Sequence, residues 1–254
     1  MIPGVPVIDC DEHLWVLNKP AGLLSAPGRG PLKQDCLWAR VQGVDPQALG
    51  VHRLDQPTSG LMLMARSLAV QRTLHAAFAQ RQIRKLYLAV VDGLMAVTDT
   101  WTCIEAPIDL HWPDRPRHHV GPQGKPSLTG WRAVAQDLHS QRTLVALRPH
   151  TGRSHQLRVH LQWIGHPMVG DTLYATPELA QASPRLLLHA WACAMTVFTG
   201  ARHVLDHIEP AVINGFGYAA PRPVGAPKSA KGTPPRFVFR LLQLLHPEFR
   251  ARIR

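Results

Sequence analysis

Four strand-like segments follow one another between residues 85 and 149 with no helical segment between them. They are KLYLAVVDG, TWTCIEAP, TGWRAVAQD and RTLVALRP, and each predicts a strand. Parallel neighbours need a long, usually helical connection, so such a run favours antiparallel pairing. Further strands are predicted in HLWVLNKPAG and RLLLHAWACAMTVF, and GLMLMAR is a short apolar run. The sequence therefore predicts an α+β fold around a mixed, largely antiparallel central sheet with flanking helices and loops.

Helical patterns occur in only a few places. The segment SLAVQRTLHAAFAQRQ, residues 67–82, has Ser67 as a candidate cap, and its apolar residues have the spacing of one helical face: Val70, Leu74, Ala77 and Phe78. The segment SHQLRVHLQWIG, residues 154–165, predicts a helix that ends at Gly165. A short helix is expected near DCLWARVQG, where Asp35 is the candidate cap.

The composition changes after about residue 216. The stretch GYAAPRPVGAPKSAKGTPP is rich in Pro, Gly and Ala and carries only positive charge, which is typical of a linker or tail. It leads into RFVFRLLQLLHPEFRARIR, which predicts a basic helix with one apolar face. We therefore expect one folded domain over residues 1–216 and a basic linker with a possible terminal helix over residues 217–254.

The cysteines and the N-terminal sequence indicate where in the cell the protein is located. The four cysteines lie far apart and form no C-x-x-C pair, so neither a disulfide framework nor a zinc site is predicted. The start, MIPGVPVIDCDEHLW, lacks the features of a signal peptide, and no apolar run has the length of a membrane span. These features predict a cytoplasmic protein that is not bound to a membrane.

The charge points to a polyanionic partner. Lys and Arg number 28 against 17 Asp and Glu, a net charge of +11, and 22 of the 28 cations are arginines. Guanidinium groups bind phosphate through a planar fork and stack on bases, so this excess favours a nucleic acid. A merely solvated basic surface is the alternative.

One carboxylate, Asp55, stands out in the stretch VHRLDQPTSG, residues 51–60. A structural Asp would cap the turn or pair with a neighbouring arginine. An Asp held ionised by arginine can instead act as a nucleophile or base, often on glycosidic bonds. A glycosidase would need a second carboxylate as proton donor, and the sequence shows none comparably placed. Chemistry by one acid and several arginines is the remaining option.

Six segments in order resemble one known family. They are LNKPAGLLSAPGR, HRLDQPTSGLMLMARS, KLYLAVVDG, WPDRPRHHVGPQGKPSLT, RPHTGRSHQLRVHL with GHPMVGDTLYA, and RLLLHA. Together they resemble the RluA-type RNA pseudouridine synthases from about residue 5 to residue 200. The resemblance implies the pseudouridine synthase fold in residues 1–216 and a specific isomerisation. The glycosidic bond of a uridine in RNA is broken, the uracil turns, and it rejoins through carbon 5, with no cofactor or metal.

The same resemblance implies roles for individual residues. Asp55 matches the essential aspartate, and Arg158 matches the basic residue that pairs with it. Tyr87 matches the tyrosine that stacks on the uracil and takes part in removing the proton from carbon 5. From the residues alone, Tyr87 is equally a core aromatic and Arg158 a solvated helix residue.

Further residues are expected to contact RNA. His52 and Arg53 are both expected at the RNA-binding surface, and Arg53 matches the arginine that enters the space left by the flipped base. Arg153, His155 and Gln156 belong to the segment expected to form the opening of the site, with Arg153 as a phosphate ligand.

The resemblance also suggests a substrate. We expect no S4 RNA-binding module before the catalytic domain, as in compact relatives, and we expect a monomer. The implied substrates are a hairpin loop of 23S ribosomal RNA and the anticodon loop of transfer RNA. The alternatives are a non-catalytic RNA-binding protein on the same fold and an enzyme acting on another polyanion, although no nucleotide loop or metal cluster supports the latter.

Overall fold

The computed structural model describes residues 1–195 and the two short strands Ile213–Asn214 and Gly217–Tyr218. Met1–Ala219 forms one compact unit, and Ala220–Arg254 forms a second unit that lies outside the described residues. The expected basic linker and terminal helix fall almost entirely in that second part. The domain boundary near residue 216 therefore stays a prediction.

One mixed sheet runs through the described residues. Its strands are β1 (Val7–Cys10), β2 (Leu14–Lys19), β3 (Leu49–Gly50), β4 (Ser59–Ala65), β5 (Ile83–Asp92), β6 (Thr102–Glu105), β9 (Leu128–Asp137), β10 (Arg142–Pro149), β11 (Leu188–Met195), β12 (Ile213–Asn214) and β13 (Gly217–Tyr218), while β7 (Ile108–Leu110) and β8 (His118–Val120) form a separate hairpin. The main order is β1-β2-β4-β11-β5-β10-β9-β6. Among the described strands, β4 and β11 form the one parallel pair. The predicted α+β fold with a largely antiparallel sheet is confirmed.

Four α-helices accompany the sheet in the described part of the chain. They are α1 (Leu37–Gln42), α2 (Leu68–Ala79), α3 (Gln156–Trp163) and α4 (Pro177–Gln181). The predicted cap of α2 is present, since the Ser67 hydroxyl accepts a hydrogen bond from the Val70 amide at 3.3 Å. The helix α3 ends at Trp163, two residues before the predicted Gly165, and Gly165 has φ +83°, the left-handed conformation that glycine adopts readily just beyond helix ends.

The predicted cap of α1 is wrong. The Cys36 thiol, not Asp35, occupies the cap position and accepts a hydrogen bond from the Ala39 amide at 3.4 Å. The Asp35 carboxylate instead forms two hydrogen bonds of 2.7 Å with the Arg40 guanidinium. A charged partner five residues further along the chain therefore draws the acid away from the helix end.

The strand β4 is buried on both faces, which explains its unbroken apolar sequence. On one face, Leu61 and Leu63 pack in a cluster with Leu74 of α2. On the other, Met62 and Met64 pack with residues of α1. The turn that precedes β4 is consequently anchored to a rigid part of the core.

The helix α3 packs against a different part of the sheet. Its residues Leu157 and Leu161 join a cluster with Val145 and Leu147 of β10. This packing leaves Arg158, on the same helix, only 2% exposed, and the arginine therefore needs partners inside the protein.

The parallel junction between β4 and β11 depends on Gly60. Gly60 is paired with Ala190 and has φ +116°. A β carbon on Gly60 would lie 2.3 Å from the Ala190 carbonyl oxygen and 2.5 Å from its amide nitrogen. Backbone atoms cannot move aside without breaking the strand pairing, so only glycine fits here.

We expect Gly60→Ala to destabilise the protein by more than about 3 kcal/mol, because it adds a backbone clash to the cost of a positive φ. The matched control is Gly165→Ala, which has φ +83° but open space around the new β carbon. That variant should lose only about 1–2 kcal/mol. Urea unfolding of both variants measures the difference, and equal losses would show that the close approach to Ala190 contributes nothing.

Candidate active site

Asp55 lies in the turn between β3 and β4, and backbone hydrogen bonds hold this turn in place. The Asp55 carbonyl accepts a hydrogen bond from the Thr58 amide at 3.1 Å. The buried Ser25 hydroxyl donates to the Leu54 carbonyl at 2.7 Å and accepts from the Leu54 amide at 3.0 Å. The residue before Asp55 is therefore fixed through both of its polar backbone groups.

A buried lysine fixes the other side of the turn. The Lys19 ammonium donates hydrogen bonds to three carbonyl oxygens, those of Pro20 at 2.9 Å, Leu23 at 2.7 Å and Gln56 at 3.1 Å. Burial lowers the pKa of Lys19 to about 8, although the nearby Asp55 charge acts in the opposite direction. Sequence reasoning did not identify Lys19 or Ser25 as site residues, although both belong to the quoted segment LNKPAGLLSAPGR.

Arg158 joins Asp55 to a second carboxylate. Its Nη1 lies 3.7 Å from Asp55 Oδ2. Its Nε and Nη2 donate to the two carboxylate oxygens of Asp171 at 2.7 and 2.6 Å. Burial alone would lower the pKa of Arg158, but the hydrogen bonds and charge of Asp171, together with the charge of Asp55, raise it above its ordinary value. The guanidinium is thus a permanent positive charge beside Asp55.

Asp171 was missed by the sequence analysis. Its side chain is fully buried, and besides Arg158 it accepts hydrogen bonds from the amides of Leu173 and Tyr174 at 3.0 and 3.2 Å. It lies in the quoted segment GHPMVGDTLYA, where no local pattern marks it as the partner of an arginine. A bidentate pair of this kind fixes both the position and the plane of the guanidinium.

Tyr87 projects from the middle of β5, where it pairs with Leu147 of β10 and Ala190 of β11. Burial raises the pKa of the Tyr87 phenol well above its ordinary value, and the Asp55 charge adds to the shift. The phenol therefore keeps its proton at neutral pH. In the free protein, Tyr87 offers an aromatic face and a hydrogen-bond donor rather than a phenolate base.

These residues surround one open cavity of about 120 Å³. The predicted site residues that line it are Arg53, Asp55, Tyr87, Arg153, His155, Gln156 and Arg158. They come from the β3–β4 turn, from β5, and from α3 with the loop before it. The structure therefore brings together seven of the eight predicted site residues.

The eighth predicted residue, His52, is not among those that line the cavity. Its Nε2 accepts a hydrogen bond from the Leu63 amide at 3.0 Å, and its ring lies 5.0 Å from that of Phe78. Burial, together with the positive charge of Lys85, lowers the pKa of His52 to about 4. The ring is therefore neutral at neutral pH, and its contacts connect the turn to β4.

His155 precedes α3 and has φ +56°. Its Nδ1 lies 2.7 Å from the Tyr174 hydroxyl, and the Tyr174 ring lies 4.9 Å from the Arg158 guanidinium carbon. Burial lowers the pKa of His155, outweighing the opposite effect of Asp55. A neutral histidine is thus held at the cavity wall by the same tyrosine that stacks on Arg158.

The loop before α3 is organised by Gln156. Its amide oxygen accepts from the Thr151 hydroxyl at 2.7 Å and from the Arg153 amide at 3.0 Å. Its amide nitrogen donates to the Leu128 carbonyl and the Thr129 hydroxyl. Gln156 is 3% exposed, so this network shapes the loop and leaves the exposed Arg153 to face solvent.

The geometry defines what the site can do. A partly exposed carboxylate, a protonated tyrosine and a buried guanidinium face the same cavity. Asp55 can attack or take a proton, while Arg158 stabilises negative charge at that point. The exposed arginines at 53 and 153 suit a phosphate-bearing substrate.

Fold and site together define a class of RNA-modifying isomerase. Residues 13–163 match the family model described as RNA pseudouridylate synthase. The chain belongs to this family, whose members isomerise uridine to pseudouridine in RNA.

The chain is also similar to individual pseudouridine synthases. The chain is 44% identical over 189 residues to the dual-specificity RNA pseudouridine synthase RluA of Vibrio cholerae, covering 74% of this chain and 76% of the relative. It is 41% identical over 195 residues to the RluA protein of Escherichia coli K12, covering 76% and 88% of the two chains. Among solved structures, human RNA pseudouridylate synthase domain containing 1 aligns with a TM-score of 0.66 at 27% identity, covering 78% of this chain and 81% of that one. The predicted RluA-type family is confirmed.

We expect Asp171→Asn to lower both stability and turnover. The change leaves the Arg158 charge buried without its close counter-charge, which costs about 3–5 kcal/mol of unfolding free energy. The freed guanidinium also no longer holds its place beside Asp55, and a misplacement of this kind lowers kcat/KM on the order of 100-fold.

The control for this prediction is Asp35→Asn. Asp35 pairs with Arg40 through two bonds of 2.7 Å, a similar bidentate geometry, but the pair lies at the surface. Its loss should leave the melting temperature and turnover nearly unchanged. Similar effects of the two variants in thermal unfolding and turnover assays would contradict a special role for the buried pair.

Proposed function

We propose that this protein isomerises uridines in hairpin loops of structured RNA, with a loop of 23S ribosomal RNA and the anticodon loop of transfer RNA as its substrates. The observation that carries the proposal is the position of Arg53. It lies two residues before Asp55 on the same fixed turn, is exposed, and lines the same cavity. The name "dual-specificity" borne by the RluA relatives supports the choice of two RNA classes.

A base in a stacked loop must leave the stack before it can enter the cavity. The rigid turn presents Asp55 to the flipped nucleotide and Arg53 to the space that the base has left. An arginine suits this place because its planar cation stacks on neighbouring bases and binds phosphate. The spacing of the two residues therefore couples base flipping to chemistry.

Once the uridine is flipped, each group in the cavity has a task. Tyr87 stacks on the uracil ring and keeps it oriented. Asp55 acts on the ribose or base to break the glycosidic bond, with Arg158 stabilising its charge. The uracil turns and rejoins through carbon 5, and the proton on that carbon is released.

We further propose that the protein acts as a cytoplasmic monomer without a cofactor. Residues 1–216 would form the catalytic domain and residues 217–254 a basic extension that adds phosphate contacts. Within residues 1–195, no helix is long and apolar enough to cross a membrane.

The proposal predicts that the wild-type protein releases tritium from uridine labelled at carbon 5 in synthetic hairpins of both RNA classes. Arg53→Ala should lose roughly 100-fold in kcat/KM on these hairpins, because flipping costs a few kcal/mol in a stacked loop. On a flexible single strand with the same target uridine, where little stacking is lost, the variant should lose less than about tenfold.

Either of two results would contradict the proposal. One is wild-type turnover confined to the flexible strand, which would remove hairpins from the substrate class. The other is the same fold loss for Arg53→Ala on the hairpin and on the flexible strand. That result would make Arg53 an ordinary phosphate contact.

A further inference from the structure

The charges in the cavity do not balance in the free protein. The positive charge of Arg158 is matched by Asp171 and Asp55. Another cation on the cavity wall, the half-buried Lys85, has no hydrogen bond or ion pair with any part of the chain that the structure describes. Buried or half-buried charges are normally paired, so an unpaired lysine in a substrate cavity calls for an anion from outside.

The position of Lys85 is fixed by the sheet. It lies two residues before Tyr87 on β5, and alternate residues of a strand face the same side. Both side chains accordingly line the cavity. The strand is held between β10 and β11, so the distance between the aromatic side chain and the ammonium group is set by backbone pairing.

The Lys85 ammonium lies beside the glycine of the loop before α3. A β carbon added to Gly152 would be 3.8 Å from Lys85 Nζ. A glycine here leaves room next to the ammonium, and Arg153 follows directly in the chain. The surroundings thus offer space and a second cation, and burial lowers the pKa of Lys85 with no carboxylate opposing the shift.

We propose that Lys85 binds a phosphodiester group adjacent to the target uridine and so forms a phosphate subsite of the cavity. This inference rests on the proposed function, because it requires an RNA substrate in this cavity. A phosphate is the anion that accompanies every flipped nucleotide into the site. Stacking on Tyr87 would locate the base, and the Lys85 contact would locate the backbone beside it.

A different role is available to Lys85, and the test must separate the two. Its charge helps to lower the pKa of His52, which in its neutral form accepts a hydrogen bond from the Leu63 amide. A lysine with only this role would stabilise the turn, and its loss would lower the melting temperature and kcat. A phosphate ligand would instead affect KM and the response to phosphate charge.

The test uses the hairpin RNAs with a single uncharged methylphosphonate in place of the phosphodiester on the 5′ or the 3′ side of the target uridine. We expect one of the two substitutions to raise KM of the wild-type protein roughly 10- to 100-fold, the loss of one charge-assisted contact, with kcat little changed. Lys85→Met should show the same increase on unmodified RNA and no further increase on the modified one. Lys85→Arg should restore most of the loss.

The matched control is Arg72→Met, which removes one positive charge from the exposed surface of α2, away from the residues that line the cavity. It should respond to both modified RNAs as the wild type does. If neither methylphosphonate affects the wild type, or if each affects wild type and Lys85→Met by the same factor, the subsite does not exist. The comparison of modified with unmodified RNA uses only the wild-type protein, so it tests the subsite even if Lys85→Met fails to fold.

Binding measurements with the same hairpins test the Lys85 phosphate contact independently of whether the hairpins are substrates. If the wild type does not turn over a hairpin, the proposed substrate is wrong, but fluorescence anisotropy at several salt concentrations still tests the contact on any RNA that binds. Lys85→Met should reduce the slope of log K against log salt by about 0.7–0.9, one phosphate contact. Identical slopes for the two proteins would overturn the inference.

Discussion

The bidentate pair of Arg158 and Asp171 is the interaction on which the rest of the site depends. A guanidinium that is 2% exposed is tolerated only with a close counter-charge, and Asp171 supplies it through bonds of 2.7 and 2.6 Å. With two of its nitrogens fixed in this way, the third lies 3.7 Å from Asp55. Because Arg158 belongs to α3 and Asp55 to the turn before β4, the contact between these two residues connects distant parts of the chain at the candidate active site.

Asp55 keeps its position beside Arg158 only if its own turn is rigid, and the sheet provides this rigidity. The β4 strand is buried on both faces and meets β11 through Gly60, where backbone atoms leave no room for a side chain. Lys19 and Ser25 then fix the backbone on either side of Asp55. Most of the polar interactions around the turn therefore hold its backbone in place. The Asp55 carboxylate stays partly exposed and available to a substrate.

Much of this was predictable from sequence, and the exceptions have physical causes. The α2 helix, its Ser67 cap and the antiparallel strands follow from local patterns, which is why they were predicted correctly. Asp171 follows from no local pattern, because its role exists only once α3 and the following loop are folded together. The Cys36 cap was missed because Asp35 is the better capping residue in isolation, and its pairing with Arg40 overrides that preference. The β7–β8 hairpin was missed because three-residue strands carry too few side chains to show alternation.

The central claim is that Asp55, held by this framework, performs the isomerisation in RNA. The most direct measurement maps pseudouridine in total RNA from cells without the protein and from the same cells supplied with the wild type or with Asp55→Asn at equal abundance. The Asn variant keeps the size of the side chain and removes the reactive carboxylate. The account predicts that specific pseudouridines disappear without the protein and return only with the wild type. Their return with Asp55→Asn, or an RNA modification map that does not depend on the protein at all, would contradict it.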